Sequence, residues 1–203
     1  DYWEGAPGLA EVHVIAIPDG EARVQALLTG QIDMNRYVPF AQKKIFDGNS
    51  KFNVSVVPTG NWRGMVMRTD TAPFDNPKVR KAVRLAVDRQ ELVDLVMGGA
   101  ATVACDTPVA PSDQYRLNMK CGQDINGAKK LLKEAGYPNG IEMTIHVSTK
   151  EPTWPTIAEV MQQQLAKAGI KADIQMTPSK SYWKETWMKK AVAMTRWNER
   201  PAD

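Results

Sequence analysis

The sequence predicts an α/β fold. Three observations predict it. Two segments alternate apolar and polar residues strictly, Ile141–Val147 and Ile170–Met176. A helical stripe of Ile157, Val160, Met161 and Leu165 lies between them. A capped helix start, Asn76-Pro77, opens another apolar stripe at Val79, Val83 and Ala86. A strand, a helix and a second strand in that order predict parallel strands joined by a crossover.

The remaining elements follow in order. Glu11–Ile17 predicts a strand, and Pro18-Asp19-Gly20 a turn. Glu21–Thr29 predicts a helix with Val24, Leu27 and Leu28 on one face and Gly30 as its stop. Gln31–Met34, Phe52–Val57 and Gly64–Met67 are strand candidates, the last two separated by Pro58-Thr59-Gly60. Asp88-Arg89-Gln90-Glu91 resembles a capping box that restarts a helix through Val96, ended by Gly98-Gly99. Asn126 is the expected cap of a helix that stops at Gly136, and Pro138-Asn139-Gly140 is a turn. Pro155 opens the crossover helix, near Thr153–Ala168, and Gly169 ends it. Ser179 caps a last helix through Tyr182 to Lys190, and Ala191–Trp197 is the final strand candidate. The prolines of Arg68–Pro77 mark the expected division between two lobes, residues 1–68 and 69–203.

Hydrophobic residues make up 43% of the chain and charged residues 24%, ordinary globular values that point away from disorder. No apolar run approaches the ~20 residues of a membrane-spanning helix. The first residue is Asp and the last follow an apolar stretch, so the chain reads as a piece of a longer protein. Net charge is +3. The densest basic group, Lys78, Arg80, Lys81 and Arg84, reads as a solvated helix face. Without a recognition motif beside it, no nucleic-acid partner is expected.

Cys105 and Cys121 flank a proline-containing loop. An even count around a loop points to a disulfide and an oxidising compartment. The rival is a thiol-dependent enzyme that uses Cys105 or Cys121 as nucleophile, with His13 and His146 the available bases. Otherwise catalytic signals are missing: there is no phosphate-binding glycine loop and no Gly-x-Ser-x-Gly elbow. His13 and His146 have no partner at metal-ligand spacing, and no cofactor or metal is expected. Six tryptophans stand out. Trp183 and Trp187, one turn apart, read as packing on one helix face. Trp62 lies between Asn61 and Arg63, and Trp197 precedes Asn198 and Arg200. Aromatic walls with a few polar groups suit a small-molecule cleft, and they equally suit the edge of a core.

PFDNPKVRKAVRLAVDRQELVDLVMGGAATVACDTPVAP (Pro73–Pro111) closely resembles family 5 extracellular solute-binding proteins, the peptide- and nickel-type receptors of ABC transporters. EARVQALLTGQIDM (Glu21–Met34) and AKKLLKEAGYPNG (Ala128–Gly140) match the same family in order. The resemblance implies periplasmic binding protein-like II lobes with mixed sheets and flanking helices, part of a bilobal protein that closes on its ligand. It implies a periplasmic or extracytoplasmic monomer that is not an enzyme. Such a protein hands a small ligand (peptide-like, opine-like or other) to the membrane permease of an ABC importer. A ligand sensor without transport is the further alternative. The expected ligand contacts are Trp197 and Arg200, with Trp62 and Arg63, beside Asn61, contributing from the other side of the hinge. In peptide-binding members a Trp in this region is followed three residues later by an Asp that holds the peptide amino group. Here Arg200 follows Trp197 at that spacing, and a guanidinium favours a carboxylate.

Overall fold

In the computed structural model the described residues are all but 1, 2, 4, 58 and 199–203. The chain divides into two compact units, Asp1–Val54 and Ser55–Asp203. The second unit begins before residue 69. The strand Trp62–Met67 hydrogen-bonds into the sheet of the later residues, so it belongs to that unit by packing.

In the first unit, helix α1 (Gly20–Leu28) is capped by Asp19, which accepts from the Ala22 amide. The three expected strands here are irregular chain, and each has a local reason. At Glu11–Ile17 no described segment pairs with the backbone, and the Arg23 guanidinium takes the carbonyls of Ile17 and Pro18. At Gln31–Met34 the amides of Gln31 and Ile32 both donate to Ala26, closing the end of α1 instead of a ladder. At Phe52–Val57 the Phe52 ring packs edge-on against buried Phe46, at 5.1 Å between centroids. A 3₁₀ segment, Phe40–Phe46, completes the unit.

The second unit holds a four-stranded mixed sheet. Its strands are β1 (Trp62–Met67), β2 (Ile141–Ser148), β3 (Ile170–Thr177) and β4 (Val192–Trp197), in spatial order β1-β4-β2-β3. β2 and β3 are parallel in the register Ile141↔Ile170, as their alternation predicts. β4 runs parallel to β2 and antiparallel to β1. One position fixes where the parallel pair starts. Gly140 has φ +88°, and a Cβ there would overlap the Gly169 carbonyl, which accepts from the Ile141 amide.

Helices α2 (Pro77–Ala86), α3 (Arg89–Met97), α4 (Ile125–Glu134) and α5 (Trp154–Lys167) flank the sheet. Asn76 caps α2 with Pro77 at its first position, as expected. The cap of α4 is Asp124, not Asn126: Asp124 accepts from the Gly127 amide, and Asn126 lies inside the first turn. The capping box at α3 is half formed. Asp88 accepts from the Gln90 and Glu91 amides, but Glu91 does not return to the Asp88 amide. Gln164 of α5, 1% exposed, takes that role. It accepts from the Asp88 amide and donates to both the Asp88 carbonyl and the Glu91 carboxylate. α2 packs on α4 and on α5, α3 packs on α5, and α5 covers β2 and β3. Val79, Val83, Leu132, Ile145, Leu165, Ile170 and Met194 are the buried centre.

After β3 the expected helix is short. Ser179–Ser181 is α-helical, Tyr182–Thr186 widens into a π turn, and Met188 takes a positive φ. Tyr182 is fully buried, and its hydroxyl donates to the carbonyls of His146 and Met194. That anchor on β2 and β4 widens the turn, and the amide of Trp187 bonds the Tyr182 carbonyl. The disulfide is present: Cys105 and Cys121 are bonded, with Cα atoms 5.3 Å apart. Neither sulfur is a thiolate nucleophile, which removes the residues on which the enzyme alternative stood.

Candidate functional site

The topology gathers chemistry at one edge of the sheet. β2, β3 and β4 are parallel, so their carboxyl ends lie together, and antiparallel β1 begins beside them. The chain leaves β2 for β3 on one side and returns past it to β4 on the other. The strand order therefore reverses between β2 and β4. In open α/β sheets the crevice at such a reversal, beyond the carboxyl ends, is where ligands bind.

Asn61, Trp62, Arg63 and Trp197 all lie at this edge. Trp62 and Trp197 are register partners, stacked with centroids 6.5 Å apart and planes 24° apart. The Trp62 ring folds along the strand over Gly64, where a Cβ would stand 3.2 Å from it. Aromatic contacts continue inward from this pair, Trp197 to Trp187 at 6.4 Å and Trp187 to Trp183 at 5.7 Å. Trp183 meets Tyr182 and Trp154 edge-on, and both of those are fully buried. The run links Trp197, 41% exposed, through Trp183, 46% exposed, to the core residues Tyr182 and Trp154.

Side chains alternate across a strand, so Arg63 stands on the face opposite Trp62. Its register partner is Arg196. The Glu151 carboxylate, in the turn after β2, is 3.2 Å from the Arg196 guanidinium. Crowding by protein lowers the pKa of Arg63, Glu151 opposes that shift and Arg196 adds to it. Trp62 and Arg63 were expected across the hinge from Trp197. They are instead on the neighbouring strand of one sheet, because β1 pairs with β4 along its whole length. Arg200 lies outside the described residues. Sequence reasoning missed Glu151, Arg196 and Trp187. Glu151 is one carboxylate in a loop, and only the fold brings it beside the arginines of β1 and β4; alternation along Ala191–Trp197 is the signal that could have set Arg196 and Trp197 on opposite faces.

Elsewhere, an open depression of about 460 Å³ lies along Met67, Thr69, Pro77, Arg80, Lys81 and Arg84, near the far end of β1. Its arginines are already engaged, Arg80 with the carbonyls of Phe74 and Asp75 and Arg84 with Asp106. The strand-order reversal favours the aromatic edge over this depression. No three His, Cys, Asp or Glu side chains converge as a metal site among the described residues. Nor is any described helix long and apolar enough to cross a membrane.

A mixed sheet with flanking helices, strand order reversing at a rim of tryptophan and arginine, is the architecture of a binding-protein lobe. Over residues 1–203 the sequence matches the family described as bacterial extracellular solute-binding proteins, family 5 Middle, and the chain belongs to that family. It is 35% identical over 175 residues to the glutathione-binding protein GsiB of Escherichia coli (strain K12), a match covering 85% of this chain and 34% of that protein. Among solved structures it resembles the ABC transporter-associated periplasmic binding protein DppA from Helicobacter pylori in complex with peptide STSA. The TM-score is 0.78 at 29% identity, covering 92% of this chain and 36% of that one. It also resembles AgaA from A. tumefaciens R10 in complex with agropinic acid, with a TM-score of 0.75 at 25% identity over 92% of this chain and 39% of that one. The chain thus spans about a third of the length of the curated relatives it matches. The fold is that of periplasmic binding protein type II proteins, and the protein is extracytoplasmic, the compartment in which a Cys105–Cys121 disulfide persists.

Proposed function

We propose that the protein of which this chain is part is the solute-binding receptor of an ABC importer. It captures a small ligand between two lobes and delivers it to the membrane permease, acting as a monomer and without catalysis. In this reading residues 1–54 contribute part of the first lobe, and residues 55–203, strand β1 included, most of the other. The observation that carries the reading is the Trp62–Trp197 stack at the strand-order reversal of a family 5 fold.

The ligand wall comprises Asn61, Trp62, Arg63 and Trp197, with Arg200 added from its place three residues after Trp197. Flat indole faces suit the apolar body of a peptide-like or opine-like ligand, and the arginines suit a carboxylate. GsiB is named for glutathione, DppA was solved with a tetrapeptide and AgaA with agropinic acid, and every one of these ligands carries a carboxylate. Calorimetry on the full-length protein with glutathione, a short peptide and an opine tests the reading. Binding of one of them, weakened about tenfold to more than a hundredfold by Arg200→Asp, is the expected result. Retention of full affinity for an acidic ligand in that variant would remove Arg200 from the wall. Equal affinity of residues 1–203 alone and of the full-length protein would sink the two-lobe trap.

A further inference from the structure

One face of α2 carries a ladder of cations. Pro77, Arg80, Lys81 and Arg84 follow one another at helical spacings of three, four and seven, so they share one side of the helix. Together with Met67 and Thr69, at the end of β1, they line the open depression of about 460 Å³. None of these lining residues is acidic. Arg80 is fixed through Nη1, which donates to the carbonyls of Phe74 and Asp75 at 2.7 Å and 3.0 Å, and a carbonyl brings no countercharge. Arg84 donates its Nε–H to Asp106, but Asp106 also accepts two hydrogen bonds from Arg89. Lys81 is exposed and has no hydrogen-bond or ion-pair partner among the described residues. Among those residues Asp106 is the one carboxylate within ion-pair reach of Arg80, Lys81, Arg84 or Arg89. The cations beside them have carboxylates of their own, Lys78 with Glu134 and Arg68 with Asp70. Positive charge is therefore left in excess along a concave surface.

We propose that this groove is a second binding site, separate from the tryptophan rim, for a multivalent oxyanion of the phosphate or sulfate class, held by Arg80, Lys81 and Arg84. β1 runs from Trp62 at the rim to Met67 at the groove, which sets the two roughly 17 Å apart at the usual rise of a strand. The site is independent of the receptor reading. A tetrahedral dianion suits the groove better than a carboxylate, because it offers a second negative charge and more acceptor oxygens to several donors at once. Guanidinium groups recognise such oxygens by geometry, and the lysine adds a point charge. In a groove open to water, losing one lysine charge a few Å from a dianion should weaken its binding about tenfold, and less at high salt.

The test uses the full-length protein, with inorganic phosphate as the probe. Thermal unfolding is followed as phosphate replaces chloride at matched ionic strength. Phosphate also stabilises proteins generally, by exclusion from their surface, so the saturable part of the response is compared between variants. The unaltered protein should show a saturable gain. Lys81 makes no native hydrogen bond, so Lys81→Gln should leave the fold intact and move the half-saturating phosphate concentration about tenfold upward. Lys81→Gln combined with Arg84→Gln should abolish the saturable part, while Asp106 keeps its two hydrogen bonds from Arg89. Lys180→Gln removes the same charge from the short helix after β3 and should change nothing. A response without saturation in the unaltered protein, or equal shifts in Lys81→Gln and Lys180→Gln, would overturn the site. Should the double variant fold poorly, Lys81→Glu should abolish the saturable part by itself; retention of it there counts against the site. Cosedimentation with vesicles of phosphatidylglycerol against phosphatidylcholine then separates the two sources of a phosphate group. Binding to phosphatidylglycerol that is lost in Lys81→Gln assigns the groove to a lipid headgroup. A saturable phosphate gain without vesicle binding assigns it to a soluble oxyanion.

Discussion

Trp62 and Trp197 stack across neighbouring antiparallel strands, with ring planes 24° apart and 6.5 Å between ring centroids. The same stack serves as a ligand wall or as the edge of a core, and substitution separates the two roles. Trp197 is 41% exposed, so more than half of its area is buried, against Trp62 and Trp187 among others. Trp197→Ala should cost about 2–4 kcal/mol, from the buried area and two aromatic pairs. In the full-length protein it should weaken the ligand by tenfold or more. Chemical denaturation and calorimetry on the same samples check both numbers. Unchanged ligand affinity with reduced stability would make the pair a core edge and nothing else.

The second prediction concerns the Cys105–Cys121 bond. It closes a loop with a sequence separation of 16, so breaking it should cost about 3 kcal/mol by the loss of chain restraint in the unfolded state. The folded loop has other ties. Arg116 donates to the carbonyls of Val109 and Ala104, and Asp106 accepts from Arg84 and Arg89. Cys105→Ser with Cys121→Ser should therefore unfold at lower denaturant while keeping native amide-exchange protection in α2 and α4. Loss of that protection would show that the disulfide shapes the native loop as well.

Legibility in the sequence followed the locality of the forces. β2, α5 and β3 were readable because alternation, a helical stripe and two glycine stops each act over a few residues. The Asn76-Pro77 start was readable for the same reason. Val12, Val14 and Ile15 carry an equal strand pattern yet form no strand, because a strand needs a partner and no described segment supplies one. At the site, Trp62 and Trp197 were marked by polar neighbours in sequence, and the fold brings them together. Glu151 and Arg196 were invisible as a pair, since their meeting depends on β4 lying between β1 and β2.

Gln164 gives the third prediction. It is 1% exposed and joins α5 to the start of α3 by three hydrogen bonds to Asp88 and Glu91. Gln164→Leu keeps the volume and leaves the Asp88 amide without its partner, along with a half-buried carboxylate. The expected cost is about 2–4 kcal/mol, since each stranded buried polar group costs about 1–3 kcal/mol. Urea denaturation measures it. A cost below about 0.5 kcal/mol would mean that water replaces the amide and that the α3–α5 junction is open.

The last prediction is a pH dependence at Asp106. Burial alone pushes its carboxyl upward, but hydrogen bonds and charge from Arg89 and Arg84 outweigh burial and leave it below the ordinary 3.8. Arg89 holds it with two contacts, at 2.6 Å and 2.9 Å, and Arg84 with one at 2.8 Å. A carboxyl depressed in the folded state binds its proton more readily when unfolded. Its contribution to stability is therefore fully present above the unfolded value of 3.8 and is lost as pH falls through the lower folded value. With 30% of the side chain exposed, solvent screening reduces that contribution. Asp70 and Glu134 are depressed as well, by Arg68 and Lys78, and they supply an acid slope of their own. The informative quantity is therefore the difference between the unaltered protein and Asp106→Asn. That difference should be constant from neutral pH down to about 5 and should shrink steadily below about 4. Denaturant titrations at half-unit pH steps measure it. A difference that stays flat into strong acid would show that the arginines hold the loop by geometry and that the Asp106 charge contributes nothing.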